Sequence, residues 1–406
     1  MTTEQILSLA PALAEFLGEF ADCFGRSEPR EHLHHFVRGQ LSNLQRKSVE
    51  PIALFNNIAP RTLQEFLNSD VWDHARVREH VQQIVARDHE DPKAIGIIDD
   101  TGHPKSGKMT PGVQRQYCGR LGKTAGCVVT VQLAFSSFDT RFRTMLDTEL
   151  FLPESWHNDR ERCRQAGIPD DVVYRPKHHI ALEQLDRAEA NGVHLEWLTA
   201  DIWYSAKPDF LAGLEQRQRR YVVEIPRNLH GWLDNPGDQP RHPARGVEEL
   251  GQHARPMTGQ AWTPFHIKDT DKGPMVWKVK SAPFWLRRGD QVLSGYHLLW
   301  AYNPLHPELE KWFLVWDPLE DNLATWLHVA FARWPVERVL EDKKSELGFS
   351  HFEARKYQAV LRHWYITMVS HLFLARQTER LRGEKPSAPP EPSPRCRQRL
   401  GQHVGV

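Results

Sequence analysis

Four acidic residues in this 406-residue chain sit where side chains could do chemistry together. Lys93-Ala-Ile-Gly-Ile-Ile-Asp-Asp-Thr-Gly102 is a short apolar run that ends in two aspartates and a turn, the pattern of a buried strand delivering carboxylates at its C-terminal end. Successive strand side chains point to opposite faces, so only one of Asp99 and Asp100 can face a given site. His194-Leu-Glu-Trp-Leu-Thr-Ala-Asp201 repeats the design. The fourth acid, Glu337, lies on a charged segment whose expected helix starts at Pro335 and stops at Gly348. Arg333, Glu337 and Lys344 are spaced by four and seven residues, which at roughly 100° per residue puts them on one helix face, leaving Val336, Val339, Leu340 and Leu347 to pack inward. Alone, that face reads as ordinary surface ion pairs. Beside Asp100 and Asp201 it reads differently. Three converging carboxylates raise one another's pKa unless a dication sits among them, and hard divalent ions such as Mg2+ favour oxygen ligands. Two such ions about 3.5–4 Å apart activate a water or a 3′-hydroxyl and stabilise the leaving oxygen of a phosphodiester.

Other motifs carry less. Gly102-His-Pro-Lys-Ser-Gly-Lys-Met109 meets most of a phosphate-loop pattern, but Met109 replaces the final Ser or Thr, Thr110-Pro-Gly stands where a helix should begin, and Asp99 and Asp100 would repel phosphate. His32, His34 and His35 lack a completing carboxylate or cysteine and read as exposed histidines. Arg38, Arg46, Lys47 and Arg61 could form either a phosphate-contacting surface or a solvated face. Lys plus Arg equals Asp plus Glu at 52 each, so any nucleic-acid surface must come from local segregation of charge. The five cysteines are scattered and never in a C-x-x-C pair, which suits a reducing cytosol and disfavours structural zinc. No apolar run is long enough to span a membrane, and the N-terminus lacks the basic-then-apolar pattern of a signal peptide.

The elements that must hold the acids form an α/β pattern. Residues 1–90 read as helices, a candidate DNA-binding region. The expected strands around 95–100, 127–135, 141–152, 194–201 and 220–226, with helices between the later ones, make a mixed sheet with carboxylates at strand ends. Arg115, Arg120 and Lys123 fall on an expected basic loop. Residues 227–325 read as a strand-rich insertion, 326–376 as the returning core with a long apolar helix at Arg355–Ala375, and 377–406 as a disordered, basic, Pro-rich tail.

In this arrangement the sequence resembles the DDE-type transposases of bacterial insertion sequences, within the RNase H-like superfamily, and most closely the insertion sequence 701 group. The resemblance rests on Ile97-Ile-Asp-Asp-Thr-Gly102, Arg115-Gln-Tyr-Cys-Gly-Arg-Leu-Gly-Lys123, Leu198-Thr-Ala-Asp201, Arg333-Trp-Pro-Val-Glu337, Lys344 and Glu346-Leu-Gly348, in family order. It implies an RNase H-like catalytic core over 91–226 and 326–376. Asp100, Asp201 and Glu337 would be the catalytic and metal-binding triad, with Asp100 matching better than Asp99. Mg2+, in two copies and replaceable by Mn2+, would be the cofactor. Arg333 and Lys344 would hold DNA phosphates, and Arg115, Arg120 and Lys123 would also contact DNA. The resemblance further implies cleavage at element ends, strand transfer by 3′-OH attack, double-stranded DNA as partner, a homodimeric synaptic complex and a nucleoid-associated, cytoplasmic location. The family's signature tyrosine is replaced by Ala330. The competing expectation is a catalytically inactive DNA-binding protein derived from such an enzyme.

Overall fold

The computed structural model describes residues 3–237, 240–270 and 273–383. Five helices come first: α1 (Thr3–Gly18), α2 (Ser27–Leu41), α3 (Val49–Phe55), α4 (Pro60–Asn68) and α5 (His74–Asp88). Their boundaries have local causes. Pro60 occupies the first turn of α4, and the Asp73 side chain accepts from the backbone N–H groups of Ala75 and Arg76 to cap α5. Their apolar faces, with Phe20, Phe36, Phe66 and Trp72 buried, belong to the same continuous core as the sheet that follows.

The sheet opens with β1 (Ile95–Pro104), β2 (Gln114–Cys118), β3 (Lys123–Ser136) and β4 (Arg143–Leu150). The stretch expected as a basic loop is therefore a hairpin, with Gln114 opposite Cys127 and Cys118 opposite Lys123. Short helices α6 (Glu154–His157) and α7 (Arg160–Gln165) lead to α8 (Lys177–Ala190), β5 (Trp197–Ala200), α9 (Ile202–Ser205), α10 (Pro208–Gln216) and β6 (Arg220–Glu224). β1 runs antiparallel to β3 and parallel to β5, and β5 runs parallel to β6. This is an open mixed sheet flanked by helices, an α/β fold consistent with RNase H-like topology.

Next come β7 (His230–Trp232), β8 (Arg245–Gly246), α11 (Val247–His253), α12 (Arg255–Thr258), β9 (Thr263–Thr270), β10 (Gly273–Arg288), β11 (Gln291–Asn303) and β12 (His306–Trp316). Residues 227–325 are strand-rich, and their strands extend the same sheet: β12 pairs with β6, placing Phe313 opposite Glu224 and Trp316 opposite Tyr221. Tyr221, Val222 and Val223 are all buried, so β6 is covered on both faces and would be a poor sheet edge. Five of the fourteen tryptophans (Trp156, Trp197, Trp277, Trp312 and Trp364) are among the largest fully buried side chains, so their abundance serves packing.

Two long helices close the chain, α13 (Leu323–Glu346) and α14 (Tyr357–Gly383). The expected start at Pro335 is wrong by twelve residues. The helix begins at Leu323, capped by Asn322, whose side chain accepts from Thr325 N at 3.0 Å. Trp326, Leu327, Val329, Ala330, Phe331 and Ala332 are buried against the sheet, and that tertiary packing carries the helix through the proline. Its other end is as read: Gly348 follows with φ +71°, and an added Cβ would lie 2.6 Å from Lys47 Cβ. Of the residues expected to pack inward, Leu347 is buried; the side chains of Val336, Val339 and Leu340 lie outside the described set. α14 outruns both its expected end at Ala375 and the expected start of the tail at 377, so residues 377–383 are helical. The rest of that tail lies outside the described residues.

Candidate active site

The parallel ladder between β1 and β5 ends at Ile98 opposite Ala200. Beyond it β1 continues along β3, with Asp99 opposite Gln132 and Asp100 opposite Val131, while the other chain turns off into α9. Such a divergence at the C-terminal end of parallel strands is where open α/β sheets form ligand crevices. Asp99, Asp100 and Asp201 lie just past the last parallel pair.

Asp201 caps α9: its Oδ1 accepts from Trp203 N at 3.0 Å and Tyr204 N at 3.3 Å, and neither bond uses Oδ2. Asp99 Oδ1 accepts from Asp100 N at 2.8 Å, which fixes the first carboxylate to its own strand. Asp100 pairs instead with the ammonium of Lys177 at the start of α8. Asp99 retains some exposed surface but is densely enclosed; burial first, then the charges of Asp100 and Asp201, push its pKa up to about 7 against the lowering effect of Arg333. Burial likewise raises Asp201, opposed mainly by Arg333 and the Tyr204 N–H. Tyr204 is fully buried beside the three acids, its hydroxyl has no hydrogen-bond partner, and its pKa is pushed well up by burial and then by Asp100.

Helix α13 crosses β5, β6 and β1, carrying Arg333 to this cluster. Arg333 Nη2 lies 3.6 Å from Glu224 Oε2, so this arginine has an ion-pair partner that the sequence reading did not contain; Lys311 Nζ also donates to both Glu224 oxygens at 2.7 Å. Glu337 and Lys344 lie on the same helix, but their side chains are outside the described set. Ala330, at the signature tyrosine position, is 5% exposed and sits in the packed half of α13 next to Phe331, which contacts Trp277 and Phe313.

The basic residues divide. Arg115, Arg120 and Lys123 are exposed on the β2–β3 hairpin. Arg38 and Arg46 are exposed, the latter paired with Glu353, and exposed Arg61 pairs with Glu65 at 2.6 Å. Lys47 is buried: its ammonium donates to the carbonyls of Gln40 and Ser42, both at 2.6 Å, and of Glu346, capping the C-terminal ends of α2 and α13 together. For Lys47 that overturns both expected alternatives, a phosphate contact and a solvated face. The phosphate-loop resemblance also ends here. Strand β1 runs through Pro104, the next element is another strand, and Lys105 Nζ is held by the carbonyls of Ser350 and Phe352. The three early histidines are half-buried, not exposed: His32 Nδ1 is 3.4 Å from Asp70, and His35 Nδ1 is 3.3 Å from Asn56 Oδ1.

A different group can hold a divalent ion. His178, His179 and Asp209 each bring a ligand atom within 4.8 Å of the others. This set is separate from the carboxylates singled out by sequence, and two of its three donors are imidazoles. Sequence reasoning missed it, along with Lys177 and Tyr204. For Lys177 no local signal exists, because 77 positions separate it from Asp100. Adjacent histidines before a helical segment were visible, but their carboxylate partner comes from the next helix but one.

A family model described as DDE superfamily endonuclease matches residues 19–278, more than half of the chain. The match contains Asp99, Asp100 and Asp201 and stops before α13. Over 192 residues the chain is 30% identical to a protein described as "Probable transposase for insertion sequence element IS701" from Microchaete diplosiphon, an alignment covering 47% of each chain. The chain thus spans about half the length of the curated relative it matches. Among the described residues, no helix is long and apolar enough to cross a membrane.

Proposed function

Because the chain belongs to the DDE superfamily of endonucleases, we propose that it is the transposase of a bacterial insertion sequence, cutting DNA at element ends and joining the freed 3′-hydroxyl to target DNA. The observation that supports this reading is the mutual electrostatic influence of Asp99, Asp100 and Asp201, with Arg333 acting on Asp99 and Asp201 from the helix that also bears Glu337; adjacent on one strand, only one of Asp99 and Asp100 serves the site. The donors are carboxylate oxygens, with burial opposing the ionisation of Asp99 and Asp201, a set that a hard dication fits. Asp100, Asp201 and Glu337 are the residues that would hold Mg2+. When bound, such ions make a water or 3′-hydroxyl a stronger nucleophile and neutralise the leaving oxygen.

The remaining roles fall to the chain itself. The Asp201 carboxylate is aimed by the N-terminus of α9, leaving one oxygen for the crevice. Lys177 balances the charge of Asp100. Arg333 and Lys344 hold phosphates flanking the scissile bond, Arg333 by a planar fork and Lys344 as a point charge. Arg115, Arg120 and Lys123 engage backbone phosphates further along the duplex, joined by Arg46 from the helical region 1–90. The lowered pKa of His351, caused by burial and then by Arg46, Arg120, Lys105 and Lys47, supports a positive surface there. Two element ends are synapsed by a homodimer, in the bacterial cytoplasm at the nucleoid.

The test is cleavage of a plasmid carrying the element's ends with Mg2+ or Mn2+. Asp100→Asn, Asp201→Asn and Glu337→Gln should each abolish nicking while the urea unfolding midpoint stays that of a folded protein. Nicking that persists in all three overturns the proposal. DNA binding without cleavage by the wild type would favour an inactive DNA-binding descendant. Asp99→Asn run alongside decides which of the adjacent acids is the ligand.

A further inference from the structure

A second ligand set lies at the N-terminal turns of α8 and α10. His178 and His179 lie in the first turn of α8, immediately after Lys177, and Asp209 lies in the first turn of α10. The imidazole rings are 4.6 Å apart at 79°, an edge-to-face arrangement, not a stack. His178 Nδ1 is buried and has no hydrogen-bond partner. Such an orphaned polar atom is destabilising unless something engages it. The ligand atoms lie within 4.8 Å of one another, and His179 and Asp209 are exposed and can turn to reach the about 3.4 Å spacing that tetrahedral bonds of about 2.1 Å require.

Two imidazoles and one carboxylate make a three-ligand set whose fourth position water fills. Imidazole suits zinc, cobalt and nickel, whereas Mg2+ takes oxygen ligands. We propose that His178, His179 and Asp209 bind one transition-metal ion of the zinc class, at a site separate from the carboxylate crevice, and that this ion ties α8 to α10. Lys177 is the residue this tie positions. Its ammonium pairs with Asp100 and lies 4.1 Å from the centre of the Trp203 ring, while Lys207, two residues before Asp209, lies 5.1 Å from the same ring. The ion therefore sets the residue that balances Asp100. Metal binding itself does not depend on the transposase reading; only the consequence at Asp100 rests on it.

The test uses untagged full-length protein without DNA, titrated with Zn2+ by calorimetry and with Co2+ by visible absorption, both in excess Mg2+. One equivalent is expected to bind, with at least tenfold weaker affinity in His179→Ala and in Asp209→Asn, and unchanged affinity in Asp201→Asn. Zinc should slow hydrogen exchange at the amides of residues 178–182 in the wild type but not in His179→Ala. Equal affinity in the wild type and both site variants overturns the site, as does loss of binding in Asp201→Asn alone. Binding without exchange protection in α8 overturns the positioning role. Because no DNA is present, failure of cleavage elsewhere leaves these outcomes readable.

Discussion

His363 on α14 ties the end of the Glu337-bearing helix to a pH-sensitive contact. The ring is 1% exposed, and its Nε2 stands 2.9 Å from the Gly348 carbonyl, which in a neutral imidazole it meets as a donor. Burial lowers the pKa of this histidine from 6.5 to about 4, opposed by the Gly348 bond and reinforced by Lys105 and His351. Below pH 6.5 the unfolded chain takes up a proton that the native state refuses, so stability falls as pH drops, until the native ring also protonates near pH 4. About 2.5 pKa units at 1.36 kcal/mol each give a loss of about 3 kcal/mol over that window. His363→Gln keeps an N–H donor and cannot titrate. It should be less stable than wild type at pH 7.5, by about 1–3 kcal/mol for imperfect fit, and this deficit should shrink by about 3 kcal/mol at pH 4. Urea unfolding at pH 7.5, 6, 5 and 4 reads it, with m values checked for constancy. His89, also lowered to about 4, titrates in both proteins and cancels. A wild-type-minus-variant difference that does not change with pH refutes the reasoning.

Three further outcomes follow from the same contacts. Lys47→Met should destabilise by about 2–3 kcal/mol in urea unfolding, because it strands buried carbonyls at the ends of α2 and α13, whereas Arg46→Ala, which breaks only an exposed pair, should change stability by less than about 0.5 kcal/mol. Arg220→Met leaves Asp317 buried without its guanidinium, takes Asp321's guanidinium partner away and leaves Glu196 with His194 alone, and should cost about 3–5 kcal/mol by the same measurement. Arg120→Ala with Lys123→Ala should weaken nonspecific DNA binding and reduce the slope of log affinity against log salt by roughly 1 per residue, read by filter binding across salt concentrations; an unchanged slope would remove the hairpin from the DNA surface.

The strand signals at Ile95–Ile98 and Trp197–Ala200 were legible because each is a short apolar run closed by an acid, and burial on both faces of a parallel strand demands that run. Gly348 was legible too, since a left-handed residue ending a helix is a local event. The start of α13 was not: Pro335 is a strong local signal, but burial of Trp326 to Ala332 on the sheet outweighs it. Lys47 read as either a phosphate contact or a solvated side chain because a basic side chain looks the same in sequence whether it reaches for solvent or for an inward-facing carbonyl. The pairing of β12 with β6, Lys177 on Asp100, and the meeting of His178 and His179 with Asp209 each join segments that share no periodicity or spacing. Residue type and local pattern determined which elements form and which acids could serve a site. Which charges face one another was decided only when the sheet and helices packed, because Coulomb and hydrogen-bond energies depend on distance in space and carry no record along the chain.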